Sequence, residues 1–336
     1  MSPTRFENLL DLARLPYFRE ERGRLMLADR ALGPTIDVHT HLALSYGLPN
    51  RVDLRREWPE TEHYLGRGRP LDFDLYMNQN FTAEDLQTLE RDLTWKSLTA
   101  GGMRRTHTLA NLAREMTELN VSASVLLPID YPILSRTAED WLDASRGQEE
   151  FVCFGSVHPF KRKPERHLEA LVARGARGIK VHPAVQLVGP DHPRAMRIYA
   201  MAAARALPVL FHCGPVGIEK PSGRRLSQVY RYEKPLAETP DCTFVLGHSG
   251  ALQWPEALAL AHKYPNAWLE TSSQSLPAVR RILAEAPRDR ILFGSDWPFY
   301  HQAPGLAKVF LATEGDDALR VAVTHGNARR LLRLTR

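Results

Sequence analysis

Asp37-Val38-His39-Thr40-His41 sets three ligand-type side chains at alternate positions of a segment that reads as a strand. Alternation sends Asp37, His39 and His41 to one side, with the two imidazoles about 6.6 Å apart along the chain. Imidazoles so placed can converge on one cation. Further apolar runs end in the same way: Val209-Leu210-Phe211-His212 and Phe244-Val245-Leu246-Gly247-His248 stop at histidines. Ile291-Leu292-Phe293-Gly294-Ser295-Asp296 stops at a carboxylate, and Gly178-Ile179-Lys180-Val181-His182 carries a lysine. One such end is what a chance polar residue at a strand terminus looks like. Five in one chain call for a shared site.

The elements that position these residues alternate. Segments 35–41, 121–127, 151–157, 177–182, 208–213, 242–248, 266–272 and 290–296 read as eight buried strands. Helical periodicity separates most of them, as in Arg166–Arg174, Arg194–Ala206, Pro255–Tyr264 and Pro277–Ala286. The pattern predicts an α/β fold, a (β/α)₈ TIM barrel, as a single domain over residues 1–336. A doubly wound sheet competes, but no Gly-x-Gly-x-x-Gly follows a strand, and no dinucleotide cofactor is expected. Every candidate ligand lies at a carboxyl strand end, where barrels carry their active sites.

Residues 1–34 form an N-terminal extension, and residues 42–105 an insertion between the first two strands. The insertion holds Phe73, Tyr76 and Phe81 and a helix opening near Thr82 with Glu84 and Asp85 in its first turn. A connection after a barrel strand lies over the active site, so this one serves as a lid, a substrate wall or an oligomer contact.

With these motifs in order, the chain resembles the amidohydrolase superfamily, in the amidohydrolase-related (amidohydrolase 2) group of metal-dependent barrels that also contains non-oxidative decarboxylases. The residues that carry the resemblance are Asp-Val-His-Thr-His, Gly-Ile-Lys-Val-His-Pro, Phe-His-Cys-Gly, Gly-His-Ser-Gly, Gly-Ser-Asp-Trp-Pro and Gly-Asn-Ala-Arg-Arg-Leu-Leu, over roughly residues 35 to 334. The resemblance implies His39 and His41 from the first strand, His212 from the fifth, His248 from the sixth and Asp296 from the eighth. Neutral imidazoles and one carboxylate suit zinc first, with manganese, iron, cobalt or nickel as alternatives. The expected ligands are His39, His41, His212 and Asp296. Such a cation lowers the pKa of its water from about 15.7 to about 7. Asp296 would serve as ligand and proton acceptor, and His248 as general acid or electrophile, or as part of a second metal site.

Lys180 decides between one metal and two. Carboxylated, it would bridge a pair of ions; free, it would pair with Asp296 or neutralise a substrate carboxylate. One mononuclear site is the main reading. His182 shares the face of Lys180 and is expected to support the site or touch substrate. His158 reads as a strand terminator, Asn327 as the cap of the last helix, and Asp37 as either a support for a ligating histidine or an interior charge. The loop after His212 holds Lys220, Arg224, Arg225, Tyr230 and Arg231, and Arg224 and Arg225 are candidates to bind a substrate carboxylate.

The net charge of +5 sits in short clusters such as Lys161-Arg162-Lys163, none interleaved with aromatics, which argues against nucleic acid as a partner. Cys153, Cys213 and Cys242 are sparse and unpaired, as in a reducing compartment, and Cys213 reads as a small buried residue. No run approaches the roughly 18 apolar residues of a membrane span, and the charged amino terminus has no signal-peptide core. A cytoplasmic enzyme with a small-molecule substrate is expected, with homo-oligomerisation open. Two reactions fit the same ligands. One is hydrolysis of an amide, ester or lactone of a small carboxylate-bearing molecule; the alternative is decarboxylation of an aromatic or enol acid.

Overall fold

A computed structural model describes residues 3–45, 50–131 and 135–334, so residues 1–2 of the extension and 46–49 of the insertion lie outside the description. Eight parallel barrel strands follow in order: β1 (Thr35–Thr40), β2 (Val121–Leu126), β3 (Phe151–Cys153, continued by Gly155–Ser156) and β4 (Ile179–Val181). β5 (Val209–His212), β6 (Phe244–Gly247), β7 (Ala267–Glu270) and β8 (Ile291–Leu292) complete them. The ladder runs β1-β2-β3 in one sheet and β3-β4-β5-β6-β7-β8 in the next. β8 returns to β1 through a parallel bridge between Thr40 and Trp297, with Val38 N–H donating to Phe293 at 2.9 Å and Asp296 N–H to His39 at 2.8 Å. This is the TIM barrel that the alternation of elements predicts.

Val38, Val125, Val152, Leu210, Val245 and Leu292 come from six different strands and pack in one cluster, which only a barrel interior allows. Ala328 and Leu332 of the last helix pack onto that cluster. A larger apolar layer lies between strands and helices, with Phe211, Phe244, Tyr199 and Tyr232 in mutual ring contact. The helices begin where Pro can sit in the first turn: Pro164–Ala173, Pro193–Ala203, Trp254–Lys263 and Leu276–Glu285.

Sequence and structure part at β8, predicted over 290–296 but regular only at Ile291–Leu292. Beyond it the chain must pass close to β7: a Cβ on Gly294 would lie 2.4 Å from Glu270 Oε2. Asp296 then adopts φ 66°, a left-handed backbone that ends any strand. Asn327 does not cap the last helix. Its amide donates to the carbonyls of Arg288 and Ile291 at 2.8 Å each, fastening that helix to the start of β8.

The insertion contains the helix Ala83–Leu93, capped by Thr82 in a reciprocal box with Asp85. It is sewn to the barrel at the carboxyl ends of the strands: Tyr64 N–H to Pro298, Met77 N–H to Ser273 and Asn78 Nδ2 to Val216.

Candidate metal centre and its family

His39 and His41 arrive at the site with their tautomers fixed. His39 Nδ1 lies 2.9 Å from Glu270 Oε1, and His41 Nδ1 lies 2.8 Å from the Leu127 carbonyl. Both partners only accept, so each Nδ1 carries the proton and each Nε2 presents a lone pair. Both Nε2 atoms face Asp296 Oδ1, at 3.8 Å from His39 and 3.5 Å from His41. His39, His41 and Asp296 thus offer three donor atoms within 4.8 Å of one another, the spacing a divalent cation draws together.

Asp296 is buried, and its Oδ2 accepts from Ser273 Oγ at 3.2 Å. Burial raises its pKa above the ordinary carboxylate value, against the opposing pull of His41 and Lys180. Burial also holds His39, His212 and His248 well below the usual imidazole pKa, helped by Lys180 beside the first two and by His39 beside the third. Neutral imidazoles are what a metal requires.

His212 does not belong to the 4.8 Å set. Its Nδ1 pairs with His248 Nε2 at 3.1 Å, and its ring stacks on His182 at 3.9 Å between centroids. His182 also caps a short helix through its Nδ1, so its place is against His212. His248 groups with His39 and Glu270, and its Nδ1 lies 2.7 Å from Ser272 Oγ. Lys180, fully buried, places Nζ 3.1 Å from His39 Nε2, and burial lowers its pKa to about 7.

Other expectations come apart from this cluster. Asp37 accepts from Ser295 N and Oγ, from Gln302 Nε2 at 2.7 Å and from His39 N–H, so it clips β1 to the segment after β8. It is not among the donor atoms grouped with the two imidazoles, because Ser295 and Gln302 take its oxygens. Arg224 and Arg225 lie exposed on the helix Pro221–Leu226 and line an open surface cleft with Glu219 and Gln228, a cleft that none of the histidines lines. Arg224 Nε lies 3.8 Å from Glu219 Oε1, and guanidinium groups without a buried partner network stay in water. Arg231 is taken by Asp191 at 2.8 and 2.9 Å. His158 binds the Gln186 carbonyl, and Cys213 is buried.

Sequence reasoning missed Glu270, Ser272, Ser273 and Gln274. Glu270 is fully buried at the end of β7, and its carboxylate takes His39, the His248 N–H and both donors of Ser272. The signal was available: a lone carboxylate closes an otherwise apolar strand, as Asp296 nearly does on β8. Behind the site, Glu115 accepts from Trp297 Nε1 at 2.8 Å and from His63 at 3.2 Å, anchoring the residue next to Asp296. A further group, Asp130, Glu139 and His167, already has a lysine in attendance, with Lys161 Nζ 3.0 Å from His167 Nε2.

Residues 36–334 match the family described as Amidohydrolase. The chain belongs to the amidohydrolase family. Its fold is shared with an uncharacterised TIM-barrel protein from Bordetella bronchiseptica, at 17% identity and a TM-score of 0.62, covering 89% of this chain and 98% of that one. It is likewise similar to 2,6-dihydroxybenzoate decarboxylase from Rhizobium, at 17% identity and TM-score 0.53, covering 89% and 99%. A probable 2-pyrone-4,6-dicarboxylic acid hydrolase from Acinetobacter baumannii aligns at 13% identity and TM-score 0.52, covering 90% and 100%. No curated protein matches the sequence. A decarboxylase and a probable hydrolase thus share this barrel fold. Among the described residues, no helix is long and apolar enough to cross a membrane.

Proposed function

We propose that this protein is a metal-dependent hydrolase that opens an amide, ester or lactone bond of a small carboxylate-bearing molecule. The observation that carries the reading is the shared focus of His39 Nε2 and His41 Nε2 on Asp296 Oδ1, with His248 ranged beside His39. The donor set fits the ion: nitrogens freed by fixed tautomers and a carboxylate oxygen, with His212 as the fourth candidate. Zinc suits these donors best, and manganese, iron, cobalt or nickel would accept them. A divalent ion bound there supplies Lewis acidity, polarising a substrate oxygen and acidifying water.

The chain's own residues do the rest. Asp296, made more basic by burial, accepts the proton of the attacking water as its oxygen bonds to the acyl carbon. As the bond to nitrogen or oxygen breaks, that proton passes to the leaving atom. His248, held between Ser272 and His212, stabilises the developing oxygen charge. Lys180 faces Asp296 and Glu270 and balances their charge or that of the substrate carboxylate. A neutral Lys180 amine also keeps carboxylation and a dinuclear centre as the variant reading.

Decarboxylation is the second reading, favoured by the aromatic surround of Asp296, to which Tyr76 and Tyr300 contribute. There a protonated Asp296, its pKa raised by burial, would deliver its proton to carbon as carbon dioxide leaves. The deciding experiment loads the protein with zinc or manganese and offers aromatic acids, lactones and amides, following carbon dioxide release against acid formation. About one ion per chain is expected, and D296A and H41A should lose both ion and turnover. Full activity in metal-stripped wild type sinks both readings.

A further inference from the structure

We propose that Tyr76, carried by the segment between β1 and β2, donates its hydroxyl to an acceptor oxygen of the bound substrate beside Asp296. This rests on the reading of the Asp296 cluster as the reaction site. The tyrosine is only 5% exposed, and its hydroxyl makes no hydrogen bond of good geometry. Its backbone is nevertheless pinned on both sides. Tyr76 N–H donates to Gln79 Oε1 at 3.1 Å, the following Met77 N–H donates to Ser273 at 2.9 Å, and Asn78 Nδ2 donates to Val216 at 2.9 Å. The ring packs with Val216, from the loop after β5, and Ala251, from the turn after β6. The residue therefore spans three strand ends at the mouth of the barrel.

Its surroundings say what the hydroxyl can do. Asp296, Glu270, Tyr300 and Ser273 lie within electrostatic reach of it. Burial, Tyr300 and the two carboxylates all hold the phenol in its neutral form, against a hydrogen bond from the Ser273 hydroxyl to its oxygen, so it acts as a donor and not as a base. Tyr300 beside it is different, because its hydroxyl is already given to Asn78 Oδ1. A buried donor fixed in place and left without an acceptor costs folding free energy. Proteins carry such a cost where a ligand removes it. The acceptor is an oxygen of the substrate, of carbonyl, ring or carboxylate type.

The test uses Y76F, which deletes only the hydroxyl, with Y300F as contrast and Tyr76→Leu as a second variant at the same position. Without ligand, Y76F should melt at or above the wild-type temperature and keep wild-type metal content, whereas Y300F should melt lower because Asn78 loses its donor. With metal-loaded protein, the thermal shifts produced by 2-hydroxybenzoate, citrate and a six-membered lactone should shrink in Y76F. The Kd of whichever probe binds should rise tenfold or more. Turnover of any substrate found by the panel should fall about 10- to 100-fold in kcat/KM.

A lower melting temperature for Y76F would assign the hydroxyl a structural role and overturn the proposal. Unchanged probe binding and turnover would also overturn it, while leaving the hydrolase reading intact. If no probe shifts the wild type and no panel member turns over, both fall together.

Discussion

As a proposed metal ligand, His39 depends on what its other nitrogen does. Glu270 Oε1 accepts from Nδ1 at 2.9 Å, which leaves Nε2 to face Asp296 and Lys180. Carboxylate support of this kind fixes ring orientation and raises ligand basicity, and its loss commonly costs 10- to 100-fold in metal affinity. The same carboxylate also takes the His248 N–H and Ser272, so one charge sets two histidines of the proposed site. Glu270→Gln keeps the shape but puts an amide among four donors. Chelator competition should show metal affinity lowered about 10- to 100-fold, with the fold retained by circular dichroism; wild-type affinity would remove Glu270 from the argument. The ligand types were legible because His, Lys and Asp at strand ends are chemically conspicuous. Glu270 was legible in principle and passed over, whereas Asp37 is the interior charge that was one of its two readings, and its partners Ser295 and Gln302 lie too far along the chain for alternation to name them.

At the scale of elements, the turn after β6 does more than end a strand. His248, Ser249, Gly250 and Ala251 have φ of 54°, 45°, 83° and 51°, four consecutive residues of positive φ of which only one is glycine. Each non-glycine residue there costs roughly 1–2 kcal/mol, so something must hold the turn. Gln274 does: its Nε2 donates to the carbonyls of His248 at 2.6 Å and Ala251 at 2.9 Å, while Ser249 Oγ donates to Glu270 O at 2.8 Å. Gln274→Ala should lose about 2–4 kcal/mol in denaturant unfolding, from two buried acceptors left bare. It should also lower kcat through a displaced His248, with metal content held by His39, His41 and Asp296. Normal kcat alongside the stability loss would confine Gln274 to the fold. Strand positions were readable from short apolar runs, and helix starts from Pro in the first turn. The turn was not, because its shape is imposed by residues that follow β7, and no local pattern near His248 announces them. The bearing of Tyr76 was hidden for the same reason: a 42–105 connection carries no register until it docks.

Across the whole molecule, one buried lysine ties together parts that are distant in sequence. Lys308, on the helix Gln302–Ala312, donates to the Gln274 carbonyl and sits 5.7 Å from the Phe73 ring of the insertion. Outer helix, active-site loop and insertion meet at that amine. Burial alone lowers its pKa from 10.5 to about 7, because no carboxylate compensates the charge. Below pH 7 both folded and unfolded chains hold the proton, and the folded state bears the full penalty of a buried charge. Between pH 7 and about 10.4, the value of a free lysine, the unfolded chain binds the proton and the folded one does not. Unfolding free energy from this group therefore rises with pH through that window, by up to roughly 1.4 kcal/mol per pH unit, and levels off above it. Lys308→Met lacks the titration. The stability of the wild type minus that of K308M, from urea unfolding at pH 6 to 10, should climb through the window, since other ionisations are common to both proteins. Parallel curves would mean that the amine keeps its proton, and that the contact joining insertion, loop and helix is an ammonium held by the Gln274 carbonyl and the face of Phe73.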